Sequence, residues 1–135
     1  YDAYEAIKDR IITATKILII VDPWVDSDLF TLLGNVQSGA QIQVLTTNTA
    51  SDFKLAGGKF KKQREQAGKG TLMVRVSSKF HDRFLIIDDK LFHLGASIKD
   101  AGNKLFVMTE IEGPDIKRKT RETIVSYWDD GETVL

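Results

Sequence analysis

Phe80-His-Asp-Arg-Phe-Leu-Ile-Ile-Asp-Asp-Lys-Leu-Phe-His-Leu94 holds two apolar runs, Arg83–Ile87 and Leu91–Leu94, on either side of the polar interval Asp88-Asp-Lys90. That interval suits a tight antiparallel turn, so the segment is expected to be a β-hairpin. Upstream of it the pattern is different, with strands alternating with helices. Tyr4, Ile7, Ile11 and Ile12 recur at helical spacing, and Lys16-Ile-Leu-Ile-Ile-Val21 is a continuous apolar run of the type buried on both faces of a sheet. Asp22-Pro-Trp-Val-Asp26 breaks this strand. Asp26 or Ser27 then caps a helix whose Leu29, Phe30, Leu32 and Leu33 point inward and which ends near Gly34 or Gly39. Ala40–Thr46 alternates as a second strand and Thr71–Val76 forms a third. Between them, residues 51–66 read as a helix that Gly57-Gly58 interrupts or precedes and that Gly68 and Gly70 close. After the hairpin, Leu105–Thr109 is a further strand, and Pro114 starts a closing helix to about Trp128 with Ile116, Ile124, Val125 and Trp128 on or near one face. The expected fold is α/β: a mixed, mostly parallel β-sheet flanked by helices on both faces, in one domain spanning 1–135.

The length of 135 residues supports a single core that buries roughly two-thirds of the unfolded surface. With 42% hydrophobic and 28% charged residues, the composition is that of a globular protein rather than a disordered or collagen-like one. The longest apolar run, Ile17–Val21, is too short to cross a bilayer as a helix. Zero cysteines exclude disulfides, thiol catalysis and thiolate metal sites, and fit a cytoplasmic setting. Acids among the first residues replace the basic and apolar regions of a signal peptide, so none is expected. Because the chain opens at Tyr1, it is expected to be part of a larger protein.

Nineteen basic and nineteen acidic side chains cancel, but they are unevenly spread. Residues 51–80 carry eight basic groups (Lys54, Lys59, Lys61, Lys62, Arg64, Lys69, Arg75 and Lys79) against two acidic ones, Asp52 and Glu65. Such a block is either the solvated face of a helix or a surface for a polyanion. It directly precedes the hairpin. Within it, Lys59, Lys61, Lys62 and Arg64 are candidate nucleic-acid contacts.

The two histidines are His81 and His93, and the first begins a pattern of His, one residue, Arg83, four residues, Asp88, with Gly95-Ala-Ser97 six residues further on. His81 and Arg83 lie two apart, so on an extended chain both side chains leave one face and can converge on one anion. Counting back along the hairpin brings Ser97 roughly opposite His81. An imidazole, a guanidinium and a hydroxyl then surround one point, as stabilising a charged phosphoryl transition state requires. Asp88, at the far end of the strand, suits a structural or orienting hydrogen bond. Asp22 and Trp24 follow the first strand at the end where open α/β sheets bind ligands. They either line a pocket, with Trp24 stacking on a base, or form a helix-entry turn with a rim aromatic. His93 is expected to be structural. Two histidines twelve apart without cysteine give no metal site, and Gly57-Gly58 lacks the Gly-Lys-Ser/Thr ending of a phosphate loop. Asp129, Asp130 and Glu132 read as a solvated acidic tail.

In His81, Arg83, Asp88 and Gly95 the chain resembles the phospholipase D superfamily, whose half-site is His-x-Lys-x4-Asp followed by Gly-Ser. The order of elements resembles one half of that fold. The resemblance implies a phosphodiesterase, nuclease-type, that forms a phosphohistidine without a metal or other cofactor. It makes His81 the nucleophile or the acid, Arg83 the phosphate clamp, Asp88 the structural carboxylate, and Gly95 and Ser97 the phosphate-binding turn; Lys99, just beyond, is either a further phosphate contact or a turn residue only. The chemistry needs two histidines, and the single motif implies a homodimer like those of short bacterial nucleases. Arginine stands where the superfamily has lysine, and Gly95-Ala96 stands where it has Gly-Ser, with Ser97 one position late. The alternative is therefore a catalytically silent module that binds nucleic acid or membrane lipid, or mediates dimerisation. His-Asp-Arg is also similar to the phospholipase-D-like domain that follows microtubule-interacting-and-transport domains.

Overall fold

The computed structural model describes residues 3–78, 80–101 and 106–135. The chain runs α1 (Ala3–Ile11), β1 (Ile17–Val21), β2 (Trp24–Val25), α2 (Asp28–Leu33), β3 (Gln41–Thr46), β4 (Asn48–Thr49), α3 (Phe53–Gln66) and β5 (Leu72–Val76). It continues through β6 (Phe84–Ile87), β7 (Lys90–Leu94), a 3-10 turn (Ile98–Asp100), β8 (Met108–Glu110), α4 (Pro114–Asp130) and β9 (Glu132–Thr133). Among the described residues the main sheet has the order β8-β7-β6-β1-β3-β5-β9, and β2 pairs with β4 in a small separate sheet. β1, β3 and β5 are parallel neighbours, and β6, β7, β8 and β9 join by antiparallel pairings. The sheet is thus mixed, with the hairpin β6–β7 laid along one side of the parallel strands.

Period-2 alternation decides which side chain faces which layer. Leu18 and Ile20 of β1, Ile42 and Val44 of β3 and Leu85 and Ile87 of β6 point to one core, which α1, α2 and α3 cover with Ile7, Ile11, Leu29, Leu32, Leu33 and Phe53. Val21, Leu45 and Ile86 point the other way, onto Phe80 and onto Ile124, Tyr127 and Trp128 of α4. Helices therefore cover both faces, because β1 and β6 are apolar at odd and even positions alike. None of the described helices is long and apolar enough to cross a membrane.

Several local expectations shift. α3 runs unbroken through Gly57 and Gly58, since Gly57 is where the helix meets the ring of Phe30, and a Cβ there would sit 2.7 Å from it. Gly68 takes φ 71° just past the helix end, the left-handed turn that glycine allows without strain. In α4 only Ile124 of the apolar set is buried; Ile116 and Val125 face outward, because the helix meets the sheet along one narrow line. Ile12 lies past the end of α1 and is exposed. Glu132 is not merely tail: it pairs with Val76 as β9, and the backbone of Val134 and Leu135 bonds Val74. β8 begins at Met108, and Leu105 lies outside the described residues, as does Lys79 of the basic block.

Candidate phosphate site

The site forms where β1 ends, β6 begins and β7 ends. Val21 pairs with Phe84, so Asp22 and Arg83 leave adjacent strands side by side. Across the hairpin, Phe84 faces His93, and the Leu94 amide donates to the Arg83 carbonyl at 2.9 Å. The chain then turns at Gly95, whose amide donates to the Val107 carbonyl at 2.7 Å, and returns Ser97 to the same place. Strand pairing stops at Phe84, so the continuation counted from sequence does not hold: Ser97 meets Arg83 rather than His81.

At the centre lies Asp22, fully buried (0% exposed). Its Oδ2 accepts from the Ile98 amide at 2.7 Å, and its Oδ1 accepts from the Trp24 amide at 3.0 Å and the Ser97 hydroxyl at 2.8 Å. The Ser97 hydroxyl, itself 2% exposed, accepts in turn from Arg83 Nε at 3.0 Å. Arg83 Nε lies 3.8 Å from Asp22 Oδ1, and the Arg83 side chain is 27% exposed. Burial pushes the Asp22 carboxyl above its usual pKa, while the amides of Ile98 and Trp24, the Ser97 hydroxyl and the Arg83 charge pull against it. Asp22 is thus a buried brace: of its two sequence readings, the bond from the Trp24 amide fits the turn, and its burial does not fit an exposed pocket rim. The Ser97 hydroxyl, with its proton given to Asp22, is engaged within the protein.

His81 is exposed in the segment leading into β6, two residues from Arg83. Trp24, on β2, is 50% exposed. Lys99 is exposed and pairs with Asp100 at 3.3 Å. A cavity of about 200 Å³ lined by Tyr4, Val25, Leu29, Ile98 and Lys99 adjoins the same turn. His93 stacks edge-on against Phe84, with ring centroids 5.5 Å apart. Asp88 stands at the other end of β6, where its carboxylate accepts from the Thr15, Lys16 and Ile17 amides and from the Thr15 hydroxyl. These bonds lower its pKa to about 2. It closes the loop into β1 and takes no direct part at the Arg83 end.

The basic block divides. Lys59 and Lys62 are exposed on α3 and Lys61 is half-buried. Arg64 is 5% exposed and donates to the carbonyls of Val36, Ser38 and Ala40 in the loop after α2, so it is withdrawn from the surface. Arg75 is also occupied, stacked on Trp128 at 4.7 Å and bonded to the Trp128 carbonyl. α3 lies in the crossover to β5, whereas β6 lies beyond β1, so the lysines and the motif belong to different parts of the sheet. Asp22 was the residue whose role sequence reading missed; its signal was an acid directly after an all-apolar central strand. Among the described residues no three His, Asp or Glu side chains gather at metal-binding spacing.

No protein-family model and no curated protein matches the chain. Among solved structures it is similar to Nuc, a phospholipase D family member from Salmonella typhimurium, with a TM-score of 0.72 and 17% identity over 97% of this chain and 90% of that one. It is also similar to TrmBL2, an archaeal chromatin protein with a novel mode of DNA binding, with a TM-score of 0.64 and 17% identity over 96% of this chain. The chain spans about half (49%) of TrmBL2. The architecture is a phospholipase D-like α/β fold.

Proposed function

We propose that this phospholipase D-like domain grips a phosphodiester of nucleic acid at Arg83 and, as a homodimer that brings two His81 imidazoles together, cleaves it without a metal. The observation that carries the reading is the braced guanidinium of Arg83. Its Nε is held inside by Ser97, while the side chain reaches the surface two residues from an exposed imidazole. Nucleic acid is favoured over lipid by the DNA-binding role of TrmBL2, and a polymer extending past Arg83 would be long enough to meet the exposed Lys59 and Lys62 on another part of the fold. In this mechanism one His81 nitrogen attacks phosphorus, and the second copy's imidazole protonates the departing oxygen. Water, its proton taken by the second imidazole, then attacks phosphorus and breaks its bond to His81, releasing a phosphate monoester, with Arg83 neutralising the equatorial oxygens throughout.

A second reading has its own support. With Ser97 turned inward and arginine in place of lysine, the site is arranged to hold an anion and lacks the free hydroxyl of the superfamily's Gly-Ser turn. That is a silent binding module. Incubation with single-stranded and duplex DNA in chelator separates the two. Cleavage abolished by His81→Ala supports the enzyme. Binding without cleavage, weakened by Arg83→Ala, supports the module. Absence of both rejects a phosphodiester site altogether.

A further inference from the structure

We infer that Asp22 and Ser97 are positioning residues that aim Arg83 at its anion, so that Arg83 and the displaced serine form one matched device. The inference rests on the phosphate-binding reading of Arg83. Hydrogen-bond direction in the chain is forced. Nε–H can only donate, so Ser97 Oγ accepts from it, and the serine proton is left to donate to Asp22 Oδ1. Asp22 cannot swing away, since both of its oxygens also hold backbone amides, Trp24 on Oδ1 and Ile98 on Oδ2. A guanidinium anchored at Nε keeps its planar fork, and among the described residues the bonds of Arg83 fall on Nε, which leaves the two terminal nitrogens to meet two phosphate oxygens together. Lysine would bring three donors on one nitrogen to both the brace and the ligand, but without the planar fork that lets the guanidinium meet two phosphate oxygens side by side. Serine at 97 completes the brace: after the turn at Gly95, it is the hydroxyl of 97 that meets Arg83 and Asp22, and alanine stands at 96.

Affinity for a labelled single-stranded DNA oligonucleotide, measured by fluorescence anisotropy on the full chain at fixed salt, tests this. Arg83→Ala is expected to weaken binding about tenfold or more, as loss of a charge-assisted bidentate contact does. Ser97→Ala is expected to weaken it about threefold to tenfold, and Arg83→Lys, which keeps the charge but not the fork, by less than Arg83→Ala. The double variant Arg83→Ala/Ser97→Ala should bind no more weakly than Arg83→Ala alone, because Ser97 acts only through the guanidinium. A purely structural serine would instead give losses that multiply. If Arg83→Ala weakens binding while Ser97→Ala does not, or if the two losses multiply, the brace is wrong and the phosphate reading survives. If Arg83→Ala leaves binding unchanged, the phosphate reading itself falls and takes the brace with it. Should Ser97→Ala fail to fold, the Arg83 Nε–H resonance of the unaltered chain decides: protection from solvent exchange is expected, and exchange as fast as at exposed arginines overturns the inference.

Discussion

Asp88 sits at φ 54°, a left-handed conformation that aspartate tolerates better than most residues, and uses it to aim a carboxylate back at the amides of Thr15, Lys16 and Ile17. Asp88→Asn keeps the turn and removes the charge. It is expected to cost about 1–2 kcal/mol at neutral pH, the lower end of the range for charged hydrogen bonds because water reaches the group. The folded pKa of about 2 lies below the ordinary 3.8, so the bonds stabilise the fold at pH above that ordinary value. Chemical denaturation across pH should show the gap between wild type and variant shrinking from about pH 4 and closing near pH 2; a gap independent of pH would contradict the assignment. Arg64 carries an opposite lesson. Arg64→Ala strips donors from three carbonyls and is expected to lower stability by about 2–4 kcal/mol in urea unfolding, whereas Lys59→Ala should move it by less than about 0.5 kcal/mol. Sequence placed both residues in one basic face, because charge counting cannot tell which long side chain turns inward.

At the scale of elements, α3 shows how a glycine pair can be misread. Gly57 and Gly58 look like a break, yet a Cβ at 57 would meet Phe30 of α2 and the side chain of Leu135, while one at 58 meets nothing within 4 Å. Gly57→Ala should therefore destabilise by about 1–3 kcal/mol through overpacking, and Gly58→Ala should stabilise by about 0.5–1 kcal/mol through helix propensity. Opposite shifts in melting temperature are the expected result. The hairpin β6–β7 was legible, since two apolar runs around Asp88-Asp89 leave few alternatives. β9 was not: two residues of an acidic sequence form a strand because the edge of β5 needs partners, and an edge's need is not written in the strand that answers it.

For the whole molecule, nineteen positive and nineteen negative groups leave no net field, so any attraction to nucleic acid has to come from local clusters. Anisotropy titrations at rising salt are expected to show affinity falling linearly on a log–log scale, with a shallower slope for Lys59→Ala/Lys62→Ala. A slope near zero would remove nucleic acid from consideration. Sedimentation across concentration tests the pairing of two motifs: cleavage by a strict monomer would require a second acid within one chain.

What the sequence alone determined were the quantities that repeat locally. A continuous apolar run marked β1, period-2 alternation marked β3, and two apolar runs around a polar turn marked the hairpin; apolar residues on one face marked α1 and α2; the His81–Arg83–Asp88 spacing marked the motif. Only the tertiary structure decided who meets whom. Asp22 and Ser97 are 75 positions apart, and they touch because β6 pairs with β1 in a register that brings the ends of β1 and β7 to Arg83. Local patterning reports which face of a strand is apolar, but carries no information about the distant strand end that will lie beside it.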